Sequence, residues 1–406
     1  MANIINAGTN GVTVTGAASA VLNIQVGGTN ALQIGTGATL TLSTPQVFPA
    51  GTAAAPSITT TGDTDTGIYF PTANQAAITT GGTVAAAFNS NGLFFRNRII
   101  NGDMRIAQRG TAAVTTNDAF PVDRFRLSFA NSTGAFSAEQ STTAPAGFVN
   151  SLKYVTTTAD ASLGATEYAT LYHAIEGTNV ADLAWGSADA RSVTLSFWCR
   201  SSVTGTFGGT IRNSAGNRSY VFSFVVNSVD TWEYKTIVIP GDTTGTWLTT
   251  TNVGMYINVS MGAGATISGT AGSWSASNLI GVTSGVNLIA TLNANFYITG
   301  VQLETGSVAT PFERRPYGTE LMLCQRYFEK GSFVSATAIN TGGIYPSFPL
   351  KVTKRVAAAS CTATNSRSLT LAIINDDSTS GLASSIYQNS NDSASNITYF
   401  TLSAEL

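Results

Sequence analysis

The run Ser192-Val193-Thr194-Leu195-Ser196-Phe197-Trp198 alternates polar and apolar side chains over its first six residues. A period of two is typical of a strand with one buried face, because successive side chains of a strand point to opposite sides. Comparable runs occupy residues 124–129, 219–226, 231–239 and 295–303. Gly, Asn and Asp separate these runs and no helical period is sustained, so residues 96–317 are predicted to form a β-sandwich or jelly roll. Trp198 and Trp232 lie within these runs, and we expect both in the core.

The composition also indicates an all-β protein and argues against several functions. Only 10% of the 406 residues are charged, against about 25% in typical soluble domains. Apolar and aromatic residues are too frequent for a disordered chain. A net charge of −2 provides no basic field for nucleic acid, and no apolar run approaches the roughly 20 residues of a membrane span. We therefore expect no nucleic-acid partner and no membrane insertion.

The start of the chain and its cysteines bear on where the protein is made. The first residues lack the cationic and apolar regions of a secretory signal. Cys199, Cys324 and Cys361 are odd in number and far apart, which argues against a disulfide framework or a clustered zinc site. We expect synthesis in a reducing cytoplasm, with each cysteine packed as a small apolar side chain.

Residues 2–62 contain no charged side chain. Short alternating stretches at residues 12–15, 22–26, 31–34 and 39–42 are separated by glycines, as in short strands joined by tight turns. Strands this short do not form a stable sheet alone, whereas three copies that wrap around each other would bury the apolar faces and close the strand edges. The pattern predicts a homotrimer; a flexible Gly/Thr linker is the alternative.

Residues 51–95 resemble a module found repeatedly in bacteriophage tail-fibre proteins. The resemblance rests on Gly51-Thr52-Ala53-Ala54-Ala55-Pro56, on Gly62-Asp63-Thr64-Asp65-Thr66-Gly67-Ile68-Tyr69 and on Phe88-Asn89-Ser90-Asn91-Gly92. Asp63 and Asp65 have the spacing of calcium ligands, but further acidic residues are missing nearby, which favours a role in a turn.

Residues 96–317 resemble the carbohydrate-binding-module-like jelly roll of phage fibres. The resemblance rests on Asn97-Arg98-Ile99-Ile100-Asn101-Gly102-Asp103-Met104, on Pro121-Val122-Asp123-Arg124-Phe125 and on Val301-Gln302-Leu303-Glu304. Modules of this type often hold a structural calcium between the start of the domain and an acidic residue of the last strand. In this chain Ile298-Thr299-Gly300-Val301 has no Asp at that place, so we expect no metal and no other cofactor.

Residues 318–406 resemble a phage fibre tip, in which a helix leads to a small β domain. Residues 320–330 combine good helix formers with an acidic start and a basic end. Strand-like runs follow at residues 345–350, 368–374 and 398–402.

Catalytic machinery is sparse. His173 is the single histidine, and the nearby Glu176 has the spacing for an acid/base pair, although a structural histidine is favoured. Glycoside hydrolysis needs two facing carboxylates, and the sequence pairs none of its candidates, which are Glu139, Glu167, Glu176, Asp182 and Asp189. We predict a protein that is not an enzyme.

Four residues are predicted to contact a receptor. Trp247 and Trp274 lie in glycine-rich loops, where an exposed ring can stack on a sugar. Asn389 and Asn391 belong to an Asn/Ser run typical of an exposed loop at the tip, which either contacts the receptor or is merely solvated.

Together these observations predict an all-β, elongated trimeric phage tail fibre, located in the virion and made in the host cytoplasm. Residues 1–50 would anchor it to the phage tail, baseplate or an adaptor protein, residues 51–95 would form a stalk, residues 96–317 the jelly roll and residues 318–406 the tip. The distal domains would bind a host-surface glycan or an outer-membrane receptor. The alternatives are a capsid-decorating fibre without receptor duty and a glycan depolymerase spike.

Overall fold

The computed structural model describes residues 25–26, 29–30, 47–73, 75–88, 96–130, 133–335, 347–355, 360–364, 371–374, 385–388 and 396–405. The chain divides into two compact units, Met1–Pro49 and Ala50–Leu406. In the first unit the described elements are two short antiparallel strands, β1 (Gln25–Val26) and β2 (Thr29–Asn30). Most of the alternating stretches predicted before residue 47 lie outside the described residues.

The second unit begins with a small four-stranded antiparallel sheet. Its strands pair in chain order, and they are β3 (Ile58–Thr60), β4 (Asp63–Tyr69), β5 (Ala76–Thr80) and β6 (Thr83–Phe88). Tyr69 and Ala77 are buried on one face, whereas Ile58, Ile68 and Ile78 are exposed and directly opposite one another in the register. Asp63 and Asp65 lie within β4 rather than in a turn.

Two antiparallel sheets pack face to face after residue 96. The six-stranded sheet has the order β17-β13-β12-β15-β10-β7, and the five-stranded sheet has the order β14-β11-β19-β9-β8. The strands of the first are β7 (Phe125–Ala130), β10 (Tyr168–Glu176), β12 (Gly205–Arg212), β13 (Ser219–Val226), β15 (Val253–Ala263) and β17 (Trp274–Ser275). The strands of the second are β8 (Ala135–Ser141), β9 (Ser151–Thr158), β11 (Val193–Ser201), β14 (Glu233–Ile239) and β19 (Asn295–Thr305).

Alternate residues of both sheets fill one core. Leu127, Leu171 and Ile257 come from the six-stranded sheet, and Leu195 and Phe296 come from the five-stranded sheet. Shorter elements lie between the strands of the sandwich in the chain: a parallel pair, β16 (Ser268–Gly269) and β18 (Gly281–Val282), and the 3-10 helices Gly177–Asn179, Ala181–Leu183, Ala265–Ile267 and Leu288–Ala290.

One α-helix, α1 (Tyr317–Gln325), follows in the part of the chain that the structure describes. Two three-stranded antiparallel sheets come next, ordered β20-β25-β22 and β21-β24-β23. Their strands are β20 (Phe328–Ser335), β21 (Ser347–Pro349), β22 (Ser360–Thr364), β23 (Leu371–Ile374), β24 (Ser385–Gln388) and β25 (Asn396–Ser403). No described helix is long and apolar enough to cross a membrane.

The predicted all-β class and sandwich are confirmed, and two further local predictions are wrong. Residues 328–330 are not helical, because β20 pairs there with β25 and the strand hydrogen bonds end the helix at Gln325. Trp198 and Trp232 are half-buried rather than in the core. Since Val193, Leu195 and Phe197 point inward, the same alternation turns Trp198 to the outer face of the sheet. The division into four segments stays a prediction.

Candidate functional site

The strand register brings four side chains together on the outer face of the six-stranded sheet. Arg126 of β7 lies opposite Tyr172 of β10, and Tyr256 of β15 lies opposite Arg212 of β12. Their sequence neighbours Phe125, Leu171, Ile211 and Ile257 all belong to the core. Because side chains alternate across a strand, the four residues face away from that core. We call Arg126, Tyr172, Arg212 and Tyr256 the Arg–Tyr patch.

Stacking and hydrogen bonds order the patch. The two tyrosine ring centroids are 4.8 Å apart with their planes at 40°. The Arg126 guanidinium lies 4.7 Å from the Tyr172 ring centroid, and that of Arg212 lies 5.2 Å from the Tyr172 centroid and 5.1 Å from the Tyr256 centroid. Arg212 donates from Nη2 to the Tyr172 hydroxyl (2.6 Å) and from Nη1 to Asn278 Oδ1 (2.5 Å). Guanidinium groups held in this way are pre-organised for a ligand.

Exposure differs among the four side chains. Tyr172 is buried, whereas Arg126, Arg212 and Tyr256 are half-exposed, so a ligand on this face would contact those three. Burial raises the pKa of the Tyr172 hydroxyl well above its ordinary value. The hydroxyl therefore stays protonated and accepts the bond from Arg212 at neutral pH.

The predicted receptor residues Trp247 and Trp274 pack against Trp185, and Trp274 belongs to β17 at the edge of the six-stranded sheet. The three indole rings contact one another edge to face, with centroids 4.7–5.7 Å apart. Trp247 Nε1 donates to Asp242 and Trp274 Nε1 donates to the Pro240 carbonyl. Both rings are half-buried and have a packing role, and their contact with a receptor stays a prediction. Asn389 and Asn391 lie outside the described residues.

His173 and Glu176 form no acid/base pair with each other. His173 is buried against Phe125 and donates from Nε2 to the Ile100 carbonyl (3.2 Å). Burial and the neighbouring Arg124 hold the pKa of His173 well below its usual range, so the ring is neutral. Glu176 instead accepts bonds from Arg326 (2.6 and 2.9 Å) and from the Tyr327 hydroxyl (2.9 Å), which link the sandwich to the segment after α1.

Arg315 ties the start of the sandwich domain to the segment after its last strand. Its guanidinium donates to the carbonyls of Asn97 and Ile99 and lies 3.3 Å from Glu313 and 3.4 Å from Glu320. The cation of Arg315 thus binds carbonyl and carboxylate oxygens of the kind that a hard metal ion prefers. Within the described residues, no group of three His, Cys, Asp or Glu residues is arranged to hold a metal ion.

A second aromatic surface covers the outer face of the five-stranded sheet. The rings of Trp198 and Tyr234 lie 5.3 Å apart, and those of Phe148 and Phe312 also lie 5.3 Å apart. A β-bulge at Gly300 lies between the two pairs. Tyr234 is 43% exposed. Sequence reasoning placed Trp198 in the core and therefore missed this surface.

The Arg–Tyr patch was also missed by sequence reasoning, because its members come from four strands that are far apart in the chain. A local signal existed at each position. Arg126, Tyr172, Arg212 and Tyr256 each alternate with a core residue, which marks them as outward-facing. Only the strand order and register show that they meet.

No family model matches the chain, and no curated protein matches its sequence. Solved structures resemble it over about half of its length. A bacteriophage CBA120 tailspike protein 4 enzymatically active domain is 13% identical with a TM-score of 0.26, and the match covers 52% of this chain and 21% of that chain. A Clostridium thermocellum family 11 carbohydrate-binding module, in complex with a β-1,3-1,4-mixed-linked tetrasaccharide, is 14% identical with a TM-score of 0.24, covering 50% and 99%. A family 61 module in complex with β-1,4-galactotriose is 10% identical with a TM-score of 0.25, covering 52% and 99%.

Proposed function

We propose that the sandwich domain binds a saccharide on the outer face of its six-stranded sheet, at the Arg–Tyr patch. The observation that carries this proposal is the ordered cluster of two guanidinium groups and two tyrosine rings on an outer sheet face. The apolar face of a sugar stacks on an aromatic ring, and guanidinium N–H groups bond its oxygens. The half-exposed Tyr256 provides the ring, and Arg126 and Arg212 provide the donors.

The test is binding of the full chain to an array of bacterial surface polysaccharides. Replacing Tyr256→Ala should weaken binding about fivefold or more, since a sugar face stacks on an aromatic ring as a nucleic-acid base does, and stacking of a base is worth roughly 1–3 kcal/mol. Tyr234→Ala is the matched control, because it removes a half-exposed tyrosine from the opposite sheet. Normal binding by Tyr256→Ala together with loss in Tyr234→Ala would move the site to the five-stranded sheet.

The biological role that we propose is a bacteriophage tail fibre subunit that binds a host-surface receptor. The support is the resemblance of residues 51–95 to tail-fibre modules and of residues 96–317 to the jelly roll of phage fibres. Residues 1–50 would join the phage tail, baseplate or an adaptor protein. A reconstruction of the intact particle tests this role, because a position on the capsid would favour a decorating fibre instead.

We also propose that the fibre is a homotrimer. The row of Ile58, Ile68 and Ile78, which are 37–39% exposed, crosses a sheet too small to bury it. On α1, Tyr317 and Met322 are also exposed. Surfaces of this kind are stabilised when copies of a chain pack together.

Finally, we propose that the protein binds its glycan without cutting it. Three of the carboxylates considered for hydrolysis are each held in an ion pair with one cation. The pairs are Glu139–Lys153, Glu176–Arg326 and Asp182–Arg98. Incubation with a bound polysaccharide should release no new reducing ends. Steady release that stops when one carboxylate is replaced by its amide would favour the depolymerase.

A further inference from the structure

The charge of the Arg–Tyr patch is not balanced. Most described arginines pair with a carboxylate within 4 Å, and the pairs include Arg98–Asp182, Arg200–Asp230, Arg218–Asp242 and Arg326–Glu176. Arg212 forms no ion pair with any carboxylate of the described residues, and its Nε has no hydrogen-bond partner there. Its two bonded partners, Tyr172 and Asn278, are both neutral.

Arg126, the second cation of the patch, is only weakly neutralised. Its Nε lies 3.4 Å from Asp118 Oδ1, and the Asp118 side chain is 53% exposed. An exposed pair at this distance contributes little, since exposed ion pairs are worth about 0–1 kcal/mol. Asp118 can therefore swing away from Arg126 when another anion approaches.

We infer that the saccharide bound at the Arg–Tyr patch is acidic and that its carboxylate is recognised by Arg212, with Arg126 as the second cation. This inference rests on the proposed function of the patch. A half-buried guanidinium without a counter-ion costs desolvation energy that a neutral sugar does not repay. The planar, forked guanidinium matches a carboxylate in geometry, and a uronic acid or a related sugar acid places such a group beside a ring that can stack on Tyr256.

If the ligand is acidic, two substitutions in and beside the patch should change its affinity in opposite directions. Arg212→Gln should weaken binding of an acidic polysaccharide about 10- to 100-fold, the range for a hydrogen bond between charged groups. Asp118→Asn should strengthen the same binding, because it removes the anion that competes for Arg126. A neutral ligand would not gain affinity from Asp118→Asn. Arg200→Gln is the matched control, because it removes one arginine charge from the opposite sheet.

The experiment uses the full chain with alginate and polygalacturonate, each in its native form and after chemical reduction of the carboxyl groups, beside neutral dextran and galactan. We expect binding to at least one native acidic polymer, loss of that binding after carboxyl reduction, weakening by Arg212→Gln and no effect of Arg200→Gln. Arg212→Lys should restore part of the binding, because it keeps the charge without the fork. The melting temperature of each variant shows whether the sandwich is intact.

Two results would overturn the inference in different ways. Equal binding of native and reduced polymers, or binding of neutral polymers alone, that still depends on Tyr256 would overturn the acidic ligand and leave the proposed function in place. Binding to none of the polymers, or binding that neither Tyr256→Ala nor Arg212→Gln changes, would overturn the site itself.

Discussion

At the scale of single residues, Gly300 occupies a position where a side chain would collide with its neighbours. Gly300 has φ +62° in the bulge of β19, and a Cβ there would lie 2.7 Å from the Phe148 ring and 3.2 Å from Trp198. The absence of a side chain allows both Phe148 and Trp198 to pack against the backbone of the bulge. The sequence shows this glycine within an alternating run, but only the register shows what it makes room for.

Gly300→Ala should lower the free energy of unfolding by about 1–3 kcal/mol, because a left-handed backbone and overpacking both contribute. Chemical denaturation measures the change. Gly272→Ala is the matched control, since Gly272 has φ +89° but nothing within 4 Å of its Cβ position. Its loss should be smaller, from backbone conformation alone, and equal losses would show that the contact with Phe148 is unimportant.

Asp123 makes stability fall with rising pH. Burial raises its pKa from 3.8 to about 6, although bonds from Gln108 and the charge of Arg109 act in the opposite direction. The native carboxyl therefore holds its proton more tightly than the unfolded chain does. Its contribution is fully present below about pH 4 and is lost as the pH rises through about 6.

We expect the free energy of unfolding of the wild type, minus that of Asp123→Asn, to decrease between about pH 4 and about pH 6. Denaturant titrations at several pH values measure this difference. A difference that increases over the same interval would mean that the native carboxyl is ionised more easily than in the unfolded chain.

At the scale of elements, a cluster of charged side chains joins the sandwich to the segment after α1. Glu176 of β10 accepts bonds from Arg326 and Tyr327, and Glu405 pairs with Arg109 and Arg124. Burial alone would raise the pKa of Glu176, but the bonds from Arg326 and Tyr327 hold it below its usual value. In contrast to Asp123, Glu176 therefore loses its contribution as the pH falls.

Glu176→Gln should lower the free energy of unfolding by about 2–3 kcal/mol, somewhat less than for a fully buried pair because Arg326 is 26% exposed. Limited proteolysis after residue 325 should become faster, because the contacts of Glu176 with Arg326 and Tyr327 hold this segment against the sandwich. Asp182→Asn is the control, since Asp182 is 48% exposed in its pair with Arg98 and should change stability by at most about 1 kcal/mol. Similar effects of the two substitutions would show that the Glu176–Arg326 pair contributes no more to stability than an exposed ion pair.

Period-two alternation is enough to predict the strands, the all-β class and the sandwich, since it is a local property of each run. It does not predict where α1 ends, because β20 becomes a strand only through its pairing with β25. It does not show that Arg126, Tyr172, Arg212 and Tyr256 meet, since their proximity depends on the order β12-β15-β10-β7. The glycine-rich loop around Trp247 suggests an exposed ring, whereas in the structure this ring packs against Trp185.

At the scale of the whole molecule, the proposed homotrimer predicts a mass of three times 42.0 kDa in sedimentation equilibrium. Ile68→Asp should weaken assembly, because it places a charge in the middle of the exposed isoleucine row. Thr61→Asp is the control, since it adds the same charge at the exposed turn between β3 and β4. A folded wild-type monomer at micromolar concentration would contradict the trimer.

The strand order of the five-stranded sheet has a consequence for synthesis of the chain. β19 lies at the centre of this sheet, between β9 and β11, yet the ribosome makes it after the other four strands. Until residue 305 leaves the exit tunnel, β9 and β11 each have an open edge that can pair with strands of a neighbouring nascent chain. The sandwich therefore cannot close before residue 305 has emerged, and chaperones that shield open strand edges should raise the yield of soluble protein.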